Sequence, residues 1–258
     1  MRWFIISIVI TALASGAAFA GPNAGARLMV QGNVNGVSTN GFICADIPIP
    51  STCEEMDPSA IPDSETSLYW YLAVVVSPPD NTPNFNTIVF GLGDYITADT
   101  YIGYWGPCIA GALEISTDGW PFPGEGTAVS WTPDCVYGYM EPVYYFGVYG
   151  YAAGDIPLDV HPIQGGVVVD CSVDPQSDDF FGFGAMGVAG SPGSNPYCPG
   201  LEPAPGACCF GPTVCVMLLE EDCLSEGGEW YGGDCEDAPC GPNPTQTTTW
   251  GSIKSVYR

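Results

Sequence analysis

The side chains with the most definite chemical meaning are twelve cysteines: Cys44, Cys53, Cys108, Cys135, Cys171, Cys198, Cys208, Cys209, Cys215, Cys223, Cys235 and Cys240. An even number of cysteines in a chain with an export signal predicts disulfides. Zinc is the competing use of closely spaced thiols. However, the one histidine, His161, lies far from the cysteine cluster and no CxxC pair occurs, so six bridges are expected. Disulfide bonding also removes these sulfurs as nucleophiles, because the thiolate does that chemistry. His161 lies between Val160 and Pro162 with no nucleophile marked for it. GxSxG, HExxH and P-loop spacings are absent. The inventory predicts no enzyme. Two carboxylates would suffice for glycoside hydrolysis, but the many acids mark no pair.

Two further groups could bind ligands. Asp170, Asp174, Asp178 and Asp179 lie within ten residues of one another. Their oxygens suit Ca²⁺, although the EF-hand spacing is missing and an acidic turn is the plainer reading. The aromatic side chains are the second group. Tyr101, Tyr104 and Trp105 form one cluster, and Tyr144 to Tyr151 form a run. Strand alternation puts Tyr145, Tyr149 and Tyr151 on one face and Tyr144 and Phe146 on the other. Such rings can stack on sugars or fill a core, and spacing alone does not say which face is wet.

Punctuation along the chain divides it into segments. Residues 1–20 read as a signal peptide: Arg2, an apolar run from Trp3, then Ala18-Phe19-Ala20 before the expected start at Gly21. That run is too short to span a bilayer. A body over 21–199 follows, then a Pro-rich linker over 200–206, a cysteine-rich module over 207–241, and a spacer with a basic, aromatic tail over 242–258. The body carries strand signals. Ser67 to Ser77 is apolar on both faces, which marks a doubly covered central strand. Shorter runs lie at Arg27–Gln31, Gly41–Asp46, Thr87–Leu92, Ala128–Trp131, Val143–Tyr151, Gly166–Cys171 and Phe180–Val188. The fold class expected is mostly β: an antiparallel β-sandwich body with a small disulfide-rich C-terminal module, an open barrel being the alternative. In the module, Leu218 to Glu226 is the one helical signal, followed by Gly227-Gly228. Cys208 and Cys209 are expected to pair with separate partners, since adjacent cysteines make a strained bridge.

The module resembles the GACC-type cysteine-rich modules of exported proteins from environmental bacteria. The residues that carry this are Gly206-Ala207-Cys208-Cys209, Cys215-Val216, Glu221-Asp222-Cys223, Gly227-Gly228, Trp230, Cys235 and Pro239-Cys240. The ending Thr248-Thr249-Trp250-Gly251-Ser252-Ile253-Lys254-Ser255-Val256-Tyr257-Arg258 is similar to tails in the same kind of protein. Body segments such as Gly103-Tyr104-Trp105-Gly106-Pro107-Cys108 resemble it too. The resemblance implies an exported bacterial family with a β-rich body and carries no activity or site residue with it.

Charge narrows the partners. The chain has 29 Asp+Glu against 4 Lys+Arg, and such a chain repels nucleic acid. Arg27 is the only cation between residues 21 and 240, whereas the tail has Lys254, Arg258 and no acid. Trp250, Ile253 and Tyr257, with the two cations, are therefore expected to form a docking or sorting element. The body also lacks the lysines that commonly guard sheet edges, which leaves an edge open for self-association. The leading reading is a secreted or cell-surface, non-catalytic structural or adhesive protein that associates with itself or with other surface components. A carbohydrate-binding module using exposed aromatics is second, and a carboxylate-dependent hydrolase third. No cofactor is expected beyond Ca²⁺, and no transmembrane segment follows the signal.

Overall fold

The computed structural model describes residues 21–240. The signal-peptide segment and the tail residues Trp250, Ile253, Lys254, Tyr257 and Arg258 lie outside the described residues. The chain divides into two compact units between Gly200 and Leu201.

The first unit is a β-sandwich. Its elements are β1 (Arg27–Gly32), α1 (Ile43–Asp46), β2 (Tyr69–Val76), β3 (Thr87–Leu92), β4 (Thr100–Pro107) and β5 (Leu113–Ser116). They continue with β6 (Gly126–Ser130), β7 (Met140–Gly150), β8 (Gly154–Asp159), β9 (Val167–Val169), β10 (Ser177–Asp179) and β11 (Ala185–Val188). One sheet is four-stranded, in the order β1-β2-β7-β4. The other has seven strands, in the order β10-β9-β3-β6-β5, with β8 joining β3 to β11. All pairings between these strands are antiparallel. The core lies between the sheets. Tyr71, Ala73 and Val75 of β2 and Tyr144, Phe146 and Val148 of β7 meet Ile88, Phe90 and Leu92 of β3 and Val129 of β6. Phe90 packs edge-on against Trp120 and Tyr144, a favoured arrangement of aromatic quadrupoles.

β2 is covered on both faces, as a strand apolar on both faces requires. Trp70, Leu72, Val74 and Val76 point away from the sandwich core into a second cluster with Met29, Ile47, Met56 and Leu68. The cover comes from the segment between β1 and β2. Gly41–Asp46, expected as a strand, instead contains the short helix α1. Its Ile43 and Cys44 pack on the outer cluster, and Cys44 is bonded to Cys108 at the end of β4. A single helical turn lets Ile43 and Ile47 reach the sheet together. Phe180–Val188 is also corrected, since only Ala185–Val188 pairs as a strand. Gly182 and Gly184 instead bond to Leu28 of β1. The side-chain amide of Asn195 completes that edge, its Oδ1 accepting from Val30 N and its Nδ2 donating to Val30 O. The edge of β1 is thereby closed without lysine. Cys53–Cys198 and Cys135–Cys171 complete the bridges of this unit.

The second unit contains β12 (Gly206–Cys209), β13 (Cys215–Leu218), α2 (Glu220–Ser225) and β14 (Glu229–Trp230), in sheet order β13-β12-β14. β12 begins at Gly206, the last residue of the expected linker. α2 is shorter than the helical pattern, because Leu218 is taken by β13. Cys208 pairs with Cys223, Cys209 with Cys240 and Cys215 with Cys235, so the adjacent cysteines have separate partners. Acids at the start of α2 favour its N-terminal dipole. Gly228 leaves room for the Cys208–Cys223 sulfurs, since a Cβ there would lie 2.4 Å from Cys208 Sγ. A module this small depends on such staples.

Candidate binding surface

An aromatic strip crosses the outer face of the four-stranded sheet where β7 meets the edge strand β4. β7 alternates, so Tyr145 and Tyr149 face outward while Tyr144 and Phe146 enter the core. Tyr151 lies just past the end of β7 and is exposed. On β4 a bulge interrupts the alternation: Ile102 pairs with Val148, and the next partnered residue, Tyr104, pairs with Gly147. A strict period of two would turn Tyr104 inward with Ile102. The extra residue, Gly103, instead puts Tyr104 outward with Tyr101, as β-bulges re-aim side chains. Tyr101 and Tyr104 are 48% and 50% exposed.

Glycines let the rings lie down on the sheet. A Cβ on Gly103 would sit 2.7 Å from the Tyr149 ring, one on Gly106 3.1 Å from the Tyr145 hydroxyl, and one on Gly147 2.4 Å from the Trp70 ring. The Tyr149, Tyr145 and Trp70 rings therefore lie over bare backbone. Tyr101 stacks on Tyr149 with centroids 6.3 Å apart and planes 24° apart. Trp70, buried beneath, meets Tyr104 at 5.8 Å and Tyr145 at 6.4 Å. A side-chain hydrogen bond with Tyr104 holds the Tyr149 phenol above its ordinary pKa. From Tyr145 to Tyr149 the strip runs about 13 Å along the strand.

Beyond Tyr145 the strip opens into a groove of about 520 Å³, lined by Phe42, Ile43, Pro107, Glu141 and the Cys44–Cys108 bridge. That volume is in the range of small-ligand sites. Burial raises the Glu141 carboxyl above its ordinary value. Phe42 is 75% exposed at the rim. Trp105 faces the other way, toward a small cavity with Tyr95, Trp120 and Phe122. There burial pushes the Tyr95 phenol up to about 12.

Of the four aspartates expected to suit calcium, Asp170 and Asp178 are engaged in hydrogen bonds within the fold. Asp170 is buried, and its Oδ1 accepts from Ser172 N, Ser172 Oγ and Gln176 N. Asp178 accepts from Gly21 N and Asn23 N. Asp174 and Asp179 are exposed. No group of three or more His, Cys, Asp or Glu placed to hold a metal occurs among the described residues. His161 is buried, and its Nδ1 accepts from Ile163 N and Gln164 N at 3.1 Å each. Burial lowers its pKa, against the opposing charge of Glu125, so the imidazole acts as a neutral turn-closing acceptor. All twelve cysteines are oxidised. No helix among the described residues is long and apolar enough to cross a membrane.

Sequence reasoning named Tyr101, Tyr104, Trp105, Tyr145 and Tyr149 but missed the strand that carries the first three. Phe42, Trp70 and Glu141 were also missed. The Gly-aromatic alternation of Tyr101 to Gly106 was the available signal. No family model and no curated protein matches the chain. Among solved structures, it is similar to a cohesin module from the Clostridium perfringens ATCC13124 family 33 glycoside hydrolase. The TM-score is 0.36 at 9% identity, over 48% of this chain and 84% of that one.

Proposed function

We propose that this is an exported, non-catalytic adhesive protein that holds uncharged polysaccharide on the aromatic strip of β4 and β7. The observation that carries the reading is the exposed pair Tyr101 and Tyr104 on one face of β4, packed against Tyr149 and Trp70 respectively. The C–H face of a sugar ring packs on the negative face of an aromatic ring, and rings fixed in advance lose little entropy on binding. The carboxyl of Glu141 and the phenol hydroxyls supply polar contacts at the edges. A net charge of −25 argues against acidic glycans. Six disulfides suit an oxidising compartment outside the cytoplasm.

Co-sedimentation with a panel of insoluble uncharged polysaccharides tests this. The wild-type protein is expected to pellet with at least one, and Tyr101→Ala/Tyr104→Ala to remain in solution. No binding across the panel, or equal binding by the variant, would refute it.

A second reading, self-association into a surface layer, is favoured by β5. Among the described residues this edge strand pairs only with β6, and its Leu113 and Ile115 are 62% and 64% exposed. Exposed apolar edges are templates for pairing.

A further inference from the structure

The residue at the junction between the expected leader and the body is seated in the sandwich. Gly21 N lies 2.8 Å from Asp178 Oδ1, and Asn23 N lies 3.0 Å from Asp178 Oδ2. Asp178 is only 9% exposed. The turn that presents Gly21 is fixed on every side. Ala24 N donates to Gly21 O, and fully buried Asn23 exchanges bonds with the Asn84 backbone through both ends of its amide. Asn81 Nδ2 donates to Ala24 O. A Cβ at position 21 would lie 2.4 and 2.7 Å from the two Asp178 oxygens, so a side chain there would displace the carboxylate. Immediately before this nitrogen stands Ala18-Phe19-Ala20, a small-residue cleavage pattern.

We propose that Gly21 is the amino terminus of the exported protein, and that its α-ammonium, released by cleavage after Ala20, forms an ion pair with the buried carboxylate of Asp178. The inference rests on the export reading. A leader peptidase with water supplies the step: the Ala20–Gly21 amide breaks, hydroxide adds to the Ala20 carbonyl carbon, and the amine leaving on Gly21 takes up a proton at neutral pH. Before cleavage the same nitrogen is a neutral amide donor. Afterwards it is a cation against a carboxylate, and charge-assisted hydrogen bonds are roughly twice as strong as neutral ones. Between residues 21 and 240 the side chains supply one cation, Arg27, for 29 acids, so a backbone ammonium is a scarce counter-charge. Processing thus completes the fold, clamping the turn that leads into β1 to Asp178 of β10.

The test has two parts. The full-length gene is expressed in an exporting bacterial host and the product's first residue is read by mass spectrometry. The protein beginning at Gly21 is then compared with its Nα-acetylated form by denaturant unfolding, each with and without Asp178→Asn. Expected are a start at Gly21 and an unfolding constant raised about tenfold by acetylation. That increase should vanish in the Asp178→Asn background. Because acetylation leaves the sequence intact, the test holds even where Asp178→Asn fails to fold. A start at another residue, or acetylation without effect, would overturn the ion pair and leave export standing. A retained leader would overturn both.

Discussion

Asp63 and Asp170 lie buried, and burial alone would push both carboxyls up. The opposite holds, because hydrogen bonds outweigh it. Asp63 accepts from the backbone of Thr39, Thr66 and Glu65, and Asp170 from Ser172 and Gln176. Both therefore sit below their ordinary value of 3.8. A depressed carboxyl contributes stability above its unfolded pKa and loses it as pH falls through the folded one. Asp63→Asn and Asp170→Asn are thus expected to lower the melting temperature at pH 7, with the deficit shrinking below about pH 4. Glu141 has the reverse sign, since burial raises it. Its protonated form is favoured in the fold, so Glu141→Gln is expected to raise the melting temperature at pH 7 and to leave it unchanged at low pH. Thermal melts across pH check all three. Little of this was legible in the sequence. Asp170 read as one member of an acidic group, and nothing in the sequence marked Asp63. Only folding brings Thr39, 24 residues away, to the Asp63 carboxyl.

At the scale of elements, the strip depends on strands that carry glycine where rings must lie flat. β2 and β7 were legible because each carries a long unbroken run of apolar and aromatic residues. β4 was not, because Gly103, Gly106 and Pro107 weaken its strand signal and the bulge breaks its period. The helix α1 was hidden for another reason: a four-residue apolar stretch fits a strand or a helical turn equally, and packing decides. Gly147→Ala would drive a methyl into the Trp70 ring and is expected to cost about 1–3 kcal/mol by overpacking, read by chemical denaturation. Gly103→Ala presses on the Tyr149 ring at the exposed edge. It is expected to weaken polysaccharide binding more than it weakens folding, which parallel binding and denaturation curves would establish.

Over the whole molecule, oxidised sulfur holds together a chain that repels itself. The cysteine positions made the bridges legible, but the pairing was not, since connectivity follows from the fold. Cys53–Cys198 closes the longest loop, with a sequence separation of 145, worth about 5 kcal/mol in the chain-entropy model. Cys53→Ala/Cys198→Ala is therefore expected to cost more stability than Cys135→Ala/Cys171→Ala, whose separation is 36. Denaturation midpoints under oxidising conditions would rank them. Added salt should raise the melting temperature by screening the acidic surface. Sugar binding by the rings of β4 and β7 is measured by isothermal titration calorimetry against a soluble uncharged polysaccharide. Wild-type protein is expected to bind with release of heat, and Tyr104→Ala to bind about tenfold more weakly. Equal affinities for the two proteins, at unchanged stability, would contradict the account.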